Sequence, residues 1–333
     1  MTIFGRTRGR ATRAIGIAVL AGLPGALSVC LATAAQASSA APDAQQQETW
    51  RAALARTHLP GAGCFTADYP STAWTKVACS TKPATPYIPR NGHRGFTVGN
   101  GNDYSAVVTG VISQGVGSFP SVTGVTKETG YDGANVYSLQ LNSQFFSSAA
   151  CNGSSNPSKC LGWQQYVYSS SEGIAFMQYW LIDYGRKCPS GGGWSSYQGS
   201  CYKNSSEVGV PLQTISQLAN LKVTGTAVVG GSDQMILTTA TRAYSTSGPD
   251  TVTDLGASWN AAEFNIVGDG GGSNARFNRG ASITVNIALT DGLTVAPKCE
   301  SDDGTTGETN NLTLGKCTAS GGSTPSVAFT ESD

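Results

Sequence analysis

Two histidines, His58 and His93, are all that this 333-residue chain offers for imidazole chemistry. His58 closes a candidate helix, where a histidine commonly satisfies terminal carbonyls, and His93 falls in the turn-like Arg90-Asn91-Gly92-His93. No Gly-x-Ser-x-Gly frames a serine nucleophile, and eight of the nine cysteines form close pairs. What is left is carboxamide and carboxylate chemistry on strands. Period-two alternation in Leu161 to Tyr168 puts Trp163, Gln165 and Val167 on one face and Gln164, Tyr166 and Tyr168 on the other. Gln178 and Trp180 share a face in the next run, and Glu263 and Asn265 share one in Ala262 to Ile266. Amides, a carboxylate and large rings on neighbouring strands suit a groove in which rings stack on sugars or peptide side chains and amides fix orientation. The alternative is that these are half-buried sheet positions whose Tyr and Trp each use one polar atom.

The elements that carry them read as strands. YSAVVTGVIS, NVYSLQLNSQFF, GWQQYVYSS, GIAFMQYWLIDYG, LKVTGTAVV, QMILTTATRAYS, AAEFNIVG and ASITVNIALT are short, rich in β-branched and aromatic residues, and bounded by Gly, Asn, Asp and Ser. With no helix between them, they point to an all-β, two-sheet antiparallel sandwich. Ahead of it, Asp43 to Arg56 reads as a peripheral helix docking Trp50 and Leu54, and Gly61 to Asn102 as an irregular surface arm. Asp302 to Asp333 reads as a polar tail that Cys317 ties back.

Arg6, Arg8, Arg10 and Arg13, an apolar run from Ala14 to Ala35, and Ala35-Gln36-Ala37 have the order of a cleavable export signal over residues 1–37. The domain reading is therefore signal 1–37, helix and arm 38–102 as a possible propeptide, and sandwich 103–333. An oxidising, extracellular destination makes Cys64 with Cys79, Cys151 with Cys160, Cys188 with Cys201 and Cys299 with Cys317 a disulfide framework rather than metal ligands. Losing four leader arginines from 21 basic residues leaves 17 against 21 acidic ones, a net charge near −4 with the cations scattered. That implies no nucleic-acid partner. No later segment has the roughly 18 apolar residues of a membrane span. Asp269 to Asn274 offers oxygens but lacks the spacing and closing glutamate of an EF-hand loop, so it reads as a glycine turn. The residues imply neither a metal nor a cofactor.

The order of segments resembles the eqolisins, or glutamic peptidases, a family with a concanavalin-like sandwich. Trp163-Gln164-Gln165-Tyr166 is followed by Ala175-Phe176-Met177-Gln178-Tyr179-Trp180, similar to the family's Ala-Trp-Tyr-Glu-Trp. Asn260-Ala261-Ala262-Glu263-Phe264-Asn265-Ile266 is similar to its Asn-Ala-Glu-Phe-Ile-Ile, and Ala275-Arg276-Phe277-Asn278 follows at the place of a further family strand. The resemblance spans about Val136 to Leu289. It implies a glutamate that activates water and a glutamine that stabilises the oxyanion. Gln165 matches the glutamine, with Gln164 if the register slips, but the family's glutamate position is Val267 here. Glu263 lies on the same face as Val267 and is the carboxylate available. The resemblance thus implies a secreted, acid-acting peptidase using Gln165 and Glu263, with Trp163, Gln178, Trp180 and Asn265 as substrate contacts. A noncatalytic lectin-like module binding extracellular polypeptide or glycan on the same groove is the alternative. A glycosidase pairing Glu263 with Asp183 or Glu172 is a third.

Overall fold

Ser282–Thr290 shows how the chain makes its first sheet: Ile283, Val285, Ile287 and Leu289 are buried while the residues between them stay half-exposed. The computed structural model describes residues 44–80, 86–90, 99–301 and 304–333. The export signal and His93 lie outside them. Among the described residues, two large sheets of nine strands each carry the fold. The first runs, in spatial order, Thr75–Val77, Cys64–Asp68, Arg242–Pro249, Ser232–Thr238, Lys222–Thr226, Gln114–Thr123, Ser282–Thr290, Ser326–Ser332 and Thr313–Ser320. The second runs Ser195–Tyr197, Ser200–Asn204, Ile174–Ile182, Leu161–Ser169, Ser138–Ser143, Ala261–Val267, Tyr104–Val107 and Lys298–Ser301, with Val208–Gly209 also pairing to Ile174–Ile182. Pairing within both large sheets is antiparallel.

The sheets approach where glycine allows it. A Cβ on Gly117 would sit 2.1 Å from the Phe264 ring, and one on Gly225 would sit 2.6 Å from Tyr166. Large rings of the second sheet therefore press directly on the backbone of the first. Leu139, Leu141, Tyr166, Tyr168, Met177, Phe264 and Ile266 fill the space between the sheets with Val223, Leu237, Ile283 and Ile287. Burying a side chain of this size contributes about 1.5–3 kcal/mol.

The helix spans Ala44–Leu54 and docks Trp50 and Leu54 on Ala67, Ile236 and Ala243, as the sequence suggests. The stretch expected to be irregular is not wholly so: Cys64–Asp68 pairs in register with Arg242–Pro249, from Cys64 with Thr246 to Asp68 with Arg242. The run QMILTTATRAYS splits into two strands of one hairpin, and the polar tail supplies two strands of the first sheet. Gln114–Thr123, rich in Gly and Ser, is a central strand despite Pro120. Its register slips between Thr284 and Asn286, so Phe119 and Pro120 together face Val285, a bulge that tolerates the missing donor. All four expected cystines form. Cys299 to Cys317 joins the Lys298–Ser301 strand of one sheet to the Thr313–Ser320 strand of the other. No helix of the described residues is long and apolar enough to cross a membrane.

Candidate active site

Leu161–Ser169, Ile174–Ile182 and Ala261–Val267 are buried along nearly their whole length, on both faces. One face meets the other sheet. The opposite face carries the polar groups singled out by sequence, and strand register aligns them. Gln178 pairs with Gln165, Gln165 with Asn142, and Asn142 with Glu263, so four side chains form one row across four strands. Trp180 and Trp163 pair one step along, and Phe176, Val167, Gln140 and Asn265 make the row on the other side.

The row is hydrogen-bonded except at Asn142 Oδ1, which is buried without a partner. Trp180 Nε1 donates to Gln165 Oε1 at 3.1 Å and to Gln178 Oε1 at 3.0 Å. Gln165 Nε2 donates to Gln140 Oε1 at 3.1 Å, which also accepts from Asn142 Nδ2 at 3.2 Å. Asn142 Nδ2 donates to Glu263 Oε2 at 3.1 Å, and Thr306 Oγ1 donates to the same oxygen at 2.5 Å. Gln165 and Glu263 therefore share a face and a row but do not touch. Two strand steps, roughly 10 Å between Cα atoms, separate them, and Gln140 and Asn142 bridge the gap. Gln164 is settled by the same register: it points between the sheets, donating to Asp233 Oδ2 at 2.8 Å and accepting from Thr253 Oγ1 at 2.6 Å.

Two further carboxylates reach the face from loops. Glu308 Oε2 accepts from Gln140 Nε2 at 3.4 Å, and its Oε1 accepts from the backbone amides of Ile88 at 3.0 Å and Gly272 at 2.9 Å. The strand ends at Val267, and Asp269 beyond it accepts from Tyr87 Oη at 2.5 Å, Ser169 Oγ at 3.1 Å and the Ser171 amide at 2.9 Å. Gly270, Gly271 and Gly272 all take left-handed backbone, which brings Glu308's second donor into place. Asn265 shares the face of Glu263 by alternation, but its amide donates to Glu331 Oε1 at 2.7 Å, on a strand of the opposite sheet. Asp183 and Glu172 stand exposed at strand ends, away from buried Glu263. The glycosidase pairing has no shared cleft.

None of the ion pairs among the described residues neutralises these acids. Burial without a cation favours the uncharged form. It raises Glu263 above the ordinary glutamate value against the pull of hydrogen bonds from Asp103, Thr306 and Asn142. Asp103 is raised further, by burial and by the adjacent Glu263 and Glu331 charges. Asp103 Oδ2 has no other hydrogen-bond partner, so one proton held between Asp103 and Glu263 satisfies both groups. Burial likewise lifts Glu308 to about 7 and Glu331 to about 8.

Trp163, Gln165, Trp180 and Asn142 have no solvent exposure, and Glu263 has 1 %. The cover comes from two short segments. Tyr87 to Arg90 crosses the face, bridged to Thr306 through Pro89, and residues 304–308 run beside it. Gln140, Asn142, Thr306, Glu308 and Asp103 were not foreseen. A signal existed for the first two, since Ser138-Leu139-Gln140-Leu141-Asn142 alternates amides with leucines; Glu308, in a Gly/Thr-rich loop, leaves none.

No protein-family model matches the chain, and no curated protein matches it. Two solved structures resemble it at a distance. Scytalido-glutamic peptidase, bound to a peptide-based transition-state analog, is 12% identical with a TM-score of 0.31, over 68% of this chain and 97% of that one. SCP-B, a member of the eqolisin family in complex with the tripeptide Ala-Ile-His, is 12% identical with a TM-score of 0.29, over 68% and 96%.

Proposed function

We propose that this chain is a secreted hydrolase of the glutamic-peptidase type, acting on extracellular polypeptide. The observation that carries the reading is Glu263: a desolvated carboxylate without a cationic partner, in one row with Gln165 and framed by Asn142 and Thr306 donors. In this role Glu263 takes a proton from water, and the water oxygen attacks the scissile carbonyl. Gln165 Nε2 donates to the oxyanion, and the proton passes to the leaving amine. Turnover requires Gln140 and Asn142 to give up their bridge so that one water touches both groups. Trp163, Gln178 and Trp180 would line the substrate path once the cover is off. Asn265, committed to Glu331, would act by holding its strand. The four cystines support an extracellular destination.

A base works in its ionised form. Because Glu263 is raised by burial, the acid limb of the rate profile lies above the ordinary glutamate value of 4.5, and the rate rises with pH through it. The test is digestion of denatured casein from pH 3 to 8 with serine, cysteine and metal inhibitors present. Cleavage that disappears in Glu263→Gln and falls at least tenfold in Gln165→Ala supports the reading; turnover unchanged in Glu263→Gln refutes it. The two amides standing between Gln165 and Glu263 favour a second reading, a noncatalytic module that binds extracellular polypeptide or glycan on the same face. No cleavage by any preparation, with retention on an insoluble glycan or peptide column, would support that instead.

A further inference from the structure

The segment over the amide row is built like a bound peptide. From Pro86 to Arg90 the backbone is read group by group. Gly271 N–H donates to Pro86 O at 2.9 Å, Tyr87 N–H donates to Gln178 Oε1 at 2.9 Å, and Ile88 N–H donates to Glu308 Oε1 at 3.0 Å. Gly307 N–H donates to Ile88 O at 2.9 Å, and Arg90 N–H donates to Thr305 O at 2.8 Å. The segment is held by its main chain, partly through the bridge of Pro89 to Thr306 and partly by the Gln178 and Glu308 side chains, while pockets take its alternate side chains.

The pockets are specific. The Tyr87 ring, 2 % exposed, packs with Val167, Ile174 and Phe176, its centroid 5.8 Å from that of Phe176, and its hydroxyl reaches Asp269. Ile88 packs on the cluster of Phe145, Trp163 and Trp180 from the opposite side of the segment, as alternation requires. A phenol with a buried acceptor at its tip is a selective contact, because a ring without the hydroxyl leaves Asp269 Oδ1 without that donor, while Oδ2 keeps Ser169 and Ser171.

We propose that Pro86–Arg90 fills a peptide groove in cis, and that the groove takes in trans an extended polypeptide with tyrosine followed by a branched aliphatic residue and proline. Asp269 selects the tyrosine, and Gln178 and Glu308 hold the peptide's backbone. The inference rests on the polypeptide half of the proposed function and is independent of whether Glu263 catalyses.

The probe is the labelled peptide Pro-Tyr-Ile-Pro-Arg, titrated by fluorescence anisotropy into the full chain and into its Tyr87→Ala/Ile88→Gly variant. The variant is expected to bind at least tenfold more tightly than the parent, and the peptide with Phe for Tyr to bind the variant about tenfold more weakly. Equal binding by parent and folded variant, or equal affinity for the Tyr and Phe peptides, overturns the proposal. Should the variant not fold, hydrogen exchange on the parent decides. Excess Tyr peptide is expected to speed exchange of the Ile88 and Arg90 amides and the Phe peptide much less, while no change with either peptide overturns the proposal. A variant that binds the peptide but never cleaves casein would refute the hydrolase reading and leave the groove standing.

Discussion

The outer faces of the two sheets are opposites. On the first sheet, Gln114, Thr224, Thr226, Gln234 and Thr238 line an open groove of about 670 Å³ bounded by Glu48, Arg51 and His58. On the second, Gln165, Gln178, Asn142 and Glu263 are sealed beneath two segments of the chain. The floor of that groove is itself shielded, with Thr224, Gln234 and Thr238 buried, yet its amides take few partners: Gln114 donates to Ala55 O and Thr226 Oγ1, and Gln234 donates to Ser245 Oγ. On the sealed face the amides find partners through Trp180, Gln140, Thr306 and Glu308, with Asn142 Oδ1 the exception. A network of this kind costs sequence freedom at many positions for a face that an apolar layer would cover more simply, which is why we place function there.

The contrast is broken or sharpened first by truncation. Trp180→Ala on the sealed face removes a fully buried ring stacked on Tyr202 and is expected to lower unfolding free energy by about 3–5 kcal/mol, whereas Thr224→Ala on the buried floor of the first sheet's groove removes only a methyl and a hydroxyl and should cost about 1 kcal/mol. Urea titrations of the two variants read the difference; similar losses would erase the distinction between the faces.

Next comes pH. Glu308 at about 7 and Glu331 at about 8 bind protons in the folded state that the unfolded chain releases near 4.5. Stability is therefore complete below about pH 4.5 and falls as pH rises through about 7 to 8, by roughly 3 kcal/mol for a single such group. Urea midpoints at pH 4, 6 and 8 should decrease in that order, and a rise would contradict the assignment. Glu331→Gln should flatten the decline above pH 6 while changing the midpoint at pH 4 little, because the amide cannot ionise. Smallest is Lys222→Met beside the open groove. Its partner Glu48 is 43% exposed and also pairs with Arg51, so the loss is expected below about 1 kcal/mol and weaker still in 1 M salt.

Much of the architecture is legible in the sequence because period-two alternation and turn residues mark strands that face one core and one exterior, as Ser282–Thr290 does. Gln114–Thr123 is hidden because its glycines make room for rings on the other sheet rather than announcing a strand, and Cys64–Asp68 because a five-residue strand buried at four positions in a row carries no alternation. The candidate site is half legible. Alternation alone puts Gln165 with Trp163, Gln178 with Trp180 and Glu263 with Asn265. It cannot say that Asn142 stands between Gln165 and Glu263, because that depends on which strands become neighbours. Nor can it place Glu308 and Tyr87, which reach the face from segments far apart in the chain.

The account turns on Glu263 being a desolvated carboxyl that shares a proton with Asp103. Its carboxyl carbon, followed by ¹³C NMR through a pH titration of the intact chain and assigned by comparison with Glu263→Gln, reports this directly. The account predicts a midpoint above 4.5 and a second step from Asp103 at higher pH. A single midpoint at or below 4.5, unaffected by Asp103→Asn, would contradict it.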